Sequence, residues 1–362
     1  MNRVPLFKVH MSPEAKVAVG DVLDSLYVGQ GPKVDAFELA VQRELGFPRR
    51  VIATNSCTSA LDLAYELCGI REGSIVVATP VTCTATTWPL ANRGARILWA
   101  DVDPCTGLID PADVARLCKE HDVAAIVAVD WAGASCDYAE LKKNGPPVVQ
   151  DAAHRYLPGA FSDESRIGDL ITHSYQAIKA LTAADGGSLY APRRDEKIAE
   201  LMRWYGLDRK SSASFRCAQT APTTAGFKYH MNDVAAAIGL ANIEVARAGV
   251  QAHIECAEYY SRELAGHGVG LPPMAEPSAH WIYCVLVVVD QDGFIRHLDA
   301  LGIDASPVHA RNDKHPALRG WKWRRLPGVD EFCSHEVAIP CGWWLSSEDR
   351  RRVVDGVRSW KP

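Results

Sequence analysis

The sequence predicts an α/β protein with a largely parallel β-sheet that helices cover on both faces. Short apolar runs alternate with segments of helical periodicity over residues 51–135, as in repeated strand–helix units. Several of these runs end in Asp or Thr, and the carboxyl ends of parallel strands gather such side chains at one edge of a sheet. Hydrophobic residues make up 48% of the 362 residues, which is enough for a large core in one or two domains.

The expected elements follow in order along the chain. A helix over 13–26 and a turn at 29–32 precede a second helix that ends near residue 45. Strands are expected at 51–53, 74–78, 96–99, 124–129, 148–151, 170–172, 188–191 and 281–289, with another strand after 302–308. Further helices are expected at 82–90, 193–205, 253–264, 294–301 and 346–360, and an ordered but irregular segment at 211–225.

Two larger features of the chain are also expected. The small apolar residues of 235–243 favour close packing against another helix, which we take as a homodimer contact. The segments 1–245 and 246–362 are expected to form a large and a smaller C-terminal domain.

The composition excludes several classes of protein. The formal net charge is −5, so the chain has no basic field for nucleic acid or for a membrane surface. The N-terminus shows no signal pattern and no apolar run is long enough to span a bilayer, so we expect a cytoplasmic protein. The eleven cysteines lack CxxC spacing and the histidines lack metal-ligand spacing, which predicts free thiols and no metal site.

Lys179 is the first candidate for chemistry. It follows the buried run 170–172, with Ser174 before it and the glycine pair 186–187 after it. Burial lowers the pKa of an amine, so that its neutral form can attack a carbonyl group. The alternative is an ordinary surface lysine.

Two further motifs carry groups that suit a ligand. Asp151 ends an apolar run and His154 follows three residues later; a carboxylate at the carboxyl end of a parallel strand is well placed for a ligand site, or it is simply a helix N-cap. The stretch TNSCTSAL at 54–61 places small and hydroxyl residues, with Cys57 and Thr58, at the start of a helix. Such a helix start offers N–H groups and a positive dipole end to an anion, or it is an ordinary Ser/Thr cap.

The ordered set of an anion cup, Asp-x-x-His, Ser-x-x-x-x-Lys and Gly-Gly resembles the DegT/DnrJ/StrS family of sugar aminotransferases, which depend on pyridoxal phosphate (PLP). The resemblance covers nearly the whole chain. It includes YVGQGP at 27–32, VDPCTGLIDP at 102–111, GFKYHMNDVAAAIG at 226–239 and the region around 302–309. It implies PLP fold type I: a large domain with a mainly parallel seven-stranded sheet, a smaller C-terminal α/β domain, and a homodimer with shared active sites.

The resemblance implies roles for the central residues. Lys179 would form the internal aldimine with the cofactor, which alternates between PLP and its pyridoxamine form, and would then move a proton. Asp151 would face the pyridine nitrogen and keep the ring protonated as an electron sink. His154 would approach the phenolic oxygen, and Cys57, Thr58 and Ser174 would bind the phosphate. A dehydratase branch of the family has His in place of this lysine, so Lys179 favours amino transfer over deoxygenation.

Other residues are implied at the rim of the site. Lys228 or His230 would reach the neighbouring subunit's cofactor, or else be solvated surface residues. Gly29 would lie at the mouth. The site-lining candidates for sugar or diphosphate are His309, Arg311 and Asn312, because Arg suits bidentate phosphate binding; the alternative is a charged surface loop. The stretch 320–325 (GWKWRR) would stack a nucleotide base, or form an exposed turn.

Cys83 departs from the family pattern. The family usually has an aromatic residue at this position, and that ring stacks on the pyridine. A cysteine cannot stack, so either Cys83 itself or Trp88 would cover this face of the cofactor.

The first hypothesis for function is the transfer of an amino group from L-glutamate to a keto group of a nucleotide-linked sugar. The alternative substrate is a keto-cyclitol or another keto-sugar without a nucleotide. A hypothesis of another class is a PLP-binding sensor or scaffold without turnover. A Rossmann-type protein independent of PLP is a fourth, and the absence of G-x-G-x-x-G after the early strands counts against it.

Overall fold

The computed structural model describes residues 2–208, 224–274, 277–318 and 324–361, and strands and helices alternate along them as expected. The strands are β1 (Ile52–Thr54), β2 (Ile75–Ala78), β3 (Arg96–Trp99), β4 (Val123–Val129), β5 (Val148–Asp151), β6 (Leu170–Ser174), β7 (Gly187–Tyr190), β8 (Tyr283–Leu286) and β9 (Glu336–Ile339). The helices are α1 (Ala15–Asp24), α2 (Pro32–Leu45), α3 (Cys57–Leu67), α4 (Thr84–Asn92), α5 (Pro111–Glu120), α6 (Tyr138–Lys142), α7 (Arg193–Met202), α8 (Asp233–Leu264), α9 (Gln291–Ala300), α10 (Pro327–His335) and α11 (Ser347–Ser359).

The central sheet confirms the predicted fold class. It has seven strands in the order β1-β7-β6-β5-β4-β2-β3. Strands β2 to β6 are mutually parallel where they pair, and β7 runs antiparallel to both β1 and β6. The carboxyl ends of β4, β5 and β6 therefore lie at one edge, where the rule for open α/β sheets places a ligand. No helix of the described residues is long and apolar enough to cross a membrane.

The C-terminal part is built on a two-stranded antiparallel sheet. Strand β8 pairs with β9, and α9 and α11 pack beside them around a separate apolar core. Strand β8 is shorter than the expected 281–289, because Val288 and Val289 are 67% and 56% exposed and leave the sheet. The strand expected after 302–308 is reduced to an isolated bridge between Ser306 and Ala338.

Helix α8 joins the two parts as one continuous element of 32 residues. Its first half, up to Val250, belongs to the core beneath the large sheet, and its second half, from Cys256, belongs to the core of the C-terminal part. The expected boundary at 245/246 thus falls inside a helix, and the division into 1–245 and 246–362 stays a prediction. The small residues of this helix do meet another helix closely, but it is α2 of the same chain: a Cβ on Gly239 would lie 2.5 Å from the ring of Phe37.

A buried ion pair closes the free edge of the large sheet. Glu38 on α2 and Arg203 after α7 form a salt bridge, and each side chain is 3% exposed. Glu38 accepts a hydrogen bond from the amide of Ala53 at 2.9 Å, and Arg203 donates one to the carbonyl of Ala53 at 3.0 Å. The polar backbone groups of the edge strand β1 are therefore satisfied by side chains, so that they are not open to pairing with another chain.

Replacing Arg203 tests how much the buried ion pair contributes to the stability of the fold. We expect Arg203→Met to lower the free energy of unfolding by about 2 kcal/mol, because the carboxylate of Glu38 keeps only Arg50 as an ionic partner and the carbonyl of Ala53 loses its donor. Urea unfolding followed by circular dichroism measures this change. Arg262→Met is the matched control, since Arg262 is 66% exposed and paired to Glu263 at the surface, where a pair contributes less than about 1 kcal/mol. Equal stability of the two variants would contradict the assignment.

Candidate active site

A cavity of about 390 Å³ lies at the carboxyl edge of the large sheet, where the strand ends and two helix starts meet. Trp281, which precedes β8, and His309 cover it from the C-terminal part of the chain. The candidate residues that line it are Cys57, Thr58, Cys83, Asp151, His154, Ser174, Lys179 and His309. The fold therefore brings together the residues of the three central sequence motifs.

The anion cup is the start of α3. Its N-cap residue, Ser56, accepts a hydrogen bond from the amide of Ser59 at 3.1 Å. The amides of Cys57 and Thr58 are the first two of the helix and have no carbonyl in the preceding turn to bind. Gly187 explains why a glycine pair is present nearby: a Cβ at this position would lie 2.5 Å from the amide nitrogen of Cys57. Strand β7 can therefore pass directly behind the cup only without a side chain.

Asp151 is held at the end of β5 by hydrogen bonds to both of its oxygens. The hydroxyl of Thr86 donates to Oδ2 at 2.7 Å, and the amide of Ala153 donates to Oδ1 at 3.0 Å. Thr82 lies 2.7 Å from the hydroxyl of Thr86 and continues the chain of polar contacts. Burial raises the pKa of Asp151, and the Thr86 hydrogen bond acts in the opposite direction.

The sequence analysis did not identify Thr82 or Thr86 as functional residues. Both are 1% exposed. Thr82 lies before the N-cap residue of α4 and Thr86 is the third residue of the helix. The partner of Thr86, Asp151, lies 65 positions away, so the sequence gives no local signal for this contact.

Lys179 lies in the loop after β6 and lines the cavity together with the cup residues of α3. Burial lowers its pKa to about 8, and the charge of Asp151 opposes this shift. A large fraction of the amine is therefore neutral just above neutral pH, as an imine-forming lysine requires. Its Nζ lies 3.5 Å from the centroid of the Trp281 ring, within the range of a cation–π interaction.

Two histidines line the cavity as neutral rings. Burial lowers the pKa of His154 well below its usual value, and it lowers the pKa of His309 to about 4; the positive charge of Lys179 acts in the same direction on both. Nδ1 of His154 and Nε2 of His309 are buried and have no hydrogen-bond partner among the described residues. Buried polar atoms are normally satisfied, so these two nitrogens favour a polar ligand in the cavity.

The two residues considered for the face left open by the missing aromatic differ in position. Cys83 is the N-cap residue of α4 and lines the cavity. Trp88 lies further along α4, with its ring centroid 6.0 Å from that of His315, and does not line the cavity. That Cys83 covers this face of the cofactor stays a prediction.

Two of the proposed substrate residues have structural partners instead. Arg311 is bound by the carboxylates of Asp313 and Asp330, so its charge is already neutralised. The amide of Asn312 is fully buried, donates to the carbonyl of Thr82 at 2.6 Å and accepts from Thr87. Neither residue lines the cavity, and their role as substrate contacts stays a prediction.

The remaining candidates lie outside this chain's own cavity. The carbonyl of Gly29 accepts a hydrogen bond from the amide of Asp233 at 2.8 Å. His230 stacks on Trp204 with 3.6 Å between ring centroids, and Lys228 lies 4.7 Å above the same ring. Residues 320–323 of the proposed nucleotide-stacking stretch and residues 211–223 lie outside the described residues, and Arg324 donates a hydrogen bond to the carbonyl of Trp99 at 2.8 Å.

The groups of the cavity fit pyridoxal phosphate. This cofactor presents a phosphate, a pyridine nitrogen and an aldehyde to its protein. The cavity offers a helix N-terminus with the hydroxyls of Thr58 and Ser174, the buried carboxylate of Asp151 and the amine of Lys179. No group of three side chains suited to a metal ion was found among the described residues.

Comparison with known proteins agrees with this site. The model of the DegT/DnrJ/EryC1/StrS aminotransferase family matches residues 10–358. The crystal structure of AtS13 from Actinomadura melliaura is 36% identical with a TM-score of 0.90, and 100% of each chain is covered. The sugar aminotransferase CalS13 from Micromonospora echinospora is 34% identical with a TM-score of 0.89, over 99% of this chain and 100% of that one.

Two relatives whose names give a substrate are more distant in sequence, and more than nine tenths of each chain is covered. A UDP-4-amino-4,6-dideoxy-N-acetyl-β-L-altrosamine transaminase from Campylobacter jejuni is 28% identical, over 93% of this chain and 91% of the relative. A dTDP-4-dehydro-2,3,6-trideoxy-D-glucose 4-aminotransferase from Saccharopolyspora spinosa is 27% identical, with the same coverage. With a family match over nearly its full length, the chain belongs to the DegT/DnrJ/EryC1/StrS aminotransferase family and is a PLP-dependent transaminase.

Proposed function

We propose that this enzyme transfers the amino group of L-glutamate to a keto group of a nucleotide-linked sugar, using Lys179 as its imine-forming residue. The observation that carries the proposal is the placement of an amine of lowered pKa, a buried carboxylate and a helix N-terminus around one cavity. The names of the two characterised relatives support a nucleotide-linked substrate. A keto-cyclitol or a keto-sugar without a nucleotide is the alternative substrate.

The residues of the cavity divide into those that bind and those that move protons. The amides of Cys57 and Thr58 and the hydroxyl of Ser174 bind the phosphate. The carboxylate of Asp151 would hold a proton at the pyridine nitrogen, and the cofactor would supply an electron sink for the carbon that carries the amino group. The hydrogen bond from Thr86 keeps Asp151 pointed in one direction.

Lys179 acts twice in each half of the reaction. Its neutral amine would hold the cofactor at the aldehyde carbon, with the aldehyde oxygen leaving as water, and once released its Nζ would accept and return the proton taken from the substrate carbon that carries the amino group. His154 offers a neutral imidazole nitrogen to the phenolic oxygen, and His309 offers one to the sugar. Both rings stay uncharged at neutral pH. Neither therefore adds a positive charge to a cavity that must hold a protonated pyridine nitrogen.

We also propose that the enzyme is a homodimer whose subunits share their active sites. Lys228 and His230 lie outside their own chain's cavity, as expected for residues that serve the site of a partner. Large apolar side chains are exposed on the described surface, with Tyr27 at 49% and Val28 at 47% in the turn before α2, and Ile178 at 36% beside Lys179. A second copy of the chain would cover these apolar groups.

The absorbance spectrum in the visible range tests the proposed reaction directly. We expect the purified protein to show the yellow band of lysine-bound PLP, and L-glutamate to bleach it as the amino group is transferred. Lys179→Ala should lose both the band and turnover, because no other residue in the cavity carries an amine. A colourless protein even after addition of PLP would favour a role without this chemistry. Bound PLP that L-glutamate leaves unchanged would favour the sensor or scaffold hypothesis or another amino donor.

The polar contact to Asp151 gives a second test. We expect Thr86→Val to lower kcat about tenfold, because a carboxylate loses a hydrogen bond worth about 1.5–3 kcal/mol. Asp151→Asn should lower it further, since the pyridine nitrogen then has no carboxylate partner. Thr87→Val is the matched control: Thr87 is equally buried in α4 but is bonded to Asn312. A Thr86 variant no slower than the Thr87 variant would exclude the proposed role.

Mixing inactive subunits tests whether the sites are shared. If Lys228 and His230 act in the partner's site, a one-to-one mixture of Lys179→Ala with the double variant Lys228→Ala, His230→Ala forms heterodimers with one intact site. Random pairing then restores about a quarter of the activity. Lys179→Ala mixed with Asp151→Asn is the control and should stay inactive, because both residues belong to one chain's cavity. No recovery in the first mixture would place Lys228 and His230 outside the partner's site.

A further inference from the structure

Trp281 is the one large aromatic side chain that the described C-terminal residues place against Lys179. It is 4% exposed and stacks on Phe7, with 5.2 Å between the ring centroids. The centroid of His154 lies 4.2 Å away. The Nζ of Lys179 lies 3.5 Å from the centroid of the indole. The ring is thus fixed by neighbours from three separate parts of the chain and receives the amine on its face.

A hydrogen bond ties this ring to the backbone beside the lysine. The indole Nε1 of Trp281 donates to the carbonyl of Ile178 at 3.0 Å. Ile178 directly precedes Lys179, so the ring and the lysine are anchored to the same peptide segment although 102 positions separate them in sequence. This hydrogen bond therefore fixes how far the indole ring lies from the backbone beside Lys179.

We propose that Trp281 is a positioning residue that holds the free amine of Lys179 at the cavity wall during the steps in which the amine is not bonded to the cofactor. The inference rests on the proposed role of Lys179 and extends it. The amine must leave the cofactor carbon and return to it in every cycle, and its four-carbon stem has many rotamers. The negative face of an indole attracts an ammonium group, and the apolar ring limits the amine's contact with water.

A role in packing alone makes a different prediction. Trp281 also belongs to the apolar core of the large sheet, and core packing depends on the shape of the ring, not on the charge distribution of its face. A change that keeps the shape of the ring but removes the negative charge of its face therefore distinguishes the positioning role from the packing role.

The test therefore uses tryptophans of increasing fluorination, inserted at position 281 alone, in the full-length enzyme without cofactor. Fluorine withdraws electron density from the ring face and leaves the shape almost unchanged. The reactivity of Lys179 toward an amine-labelling reagent is followed by peptide mass spectrometry across a range of pH. The other titratable groups facing the amine stay the same in every variant; they are Asp151, Cys57, Cys83, His154 and His309.

We expect the midpoint of the labelling profile to fall stepwise with each added fluorine, by roughly half a pH unit in all, because the ammonium form loses the attraction of the ring. Trp281→Leu should lower it by a similar amount, and Trp281→Phe, which retains a ring face, should restore most of the shift. Trp343 is the matched control position: it lies nearby and carries Lys8 at 5.5 Å from its ring instead of Lys179. Fluorination there should leave the Lys179 profile unchanged.

A labelling midpoint that fluorination at position 281 does not move would overturn the proposal and leave Trp281 as a packing residue. A second measurement covers the loaded enzyme: Trp281→Phe should lower kcat less than Trp281→Leu does, with little change in KM for the amino donor. Because the labelling experiment needs no turnover, its failure is distinguishable from a failure of the proposed reaction, which the visible spectrum reports independently.

Discussion

The active site depends on the removal of two opposite charges from water on facing walls of one cavity. Burial lowers the pKa of Lys179 and raises that of Asp151, and their mutual attraction offsets only part of either shift. Each group is instead held by neutral partners, the ring of Trp281 on one side and the hydroxyl of Thr86 on the other. A ligand ring that carries both an aldehyde and a basic nitrogen would bind best between the two groups, because it can contact Lys179 and Asp151 at once.

The fold supplies this arrangement by satisfying polar groups close to the cavity. The edge strand β1 leads into the anion cup, and the buried pair of Glu38 and Arg203 binds its outward backbone groups. Asp233 at the start of α8 accepts hydrogen bonds from the amides of Gly31 at 2.8 Å and Val34 at 3.1 Å, and so caps α2. These contacts join α2 and α8 to the strand that leads into the cup.

The sequence predicts those parts of the site whose signal is local. Lys179 and Asp151 could be identified because each follows an apolar strand of its own and belongs to a short motif. Trp281 could not, because its contact with Lys179 spans 102 positions and depends on how the C-terminal part folds over the sheet. The ion pairs of Arg311 could not be predicted either, because one of the carboxylates that bind it, Asp330, lies 19 positions away.

The continuity of α8 restricts how the two parts of the molecule can be separated. A helix of 32 residues is about 48 Å long, and here each half completes a different core. A chain cut at 245/246 would leave each fragment with a broken helix end and an apolar stripe facing water. Such fragments would associate or aggregate, so the two parts of this transferase form a single unit of expression and of evolution, and a recombination junction within α8 would be selected against.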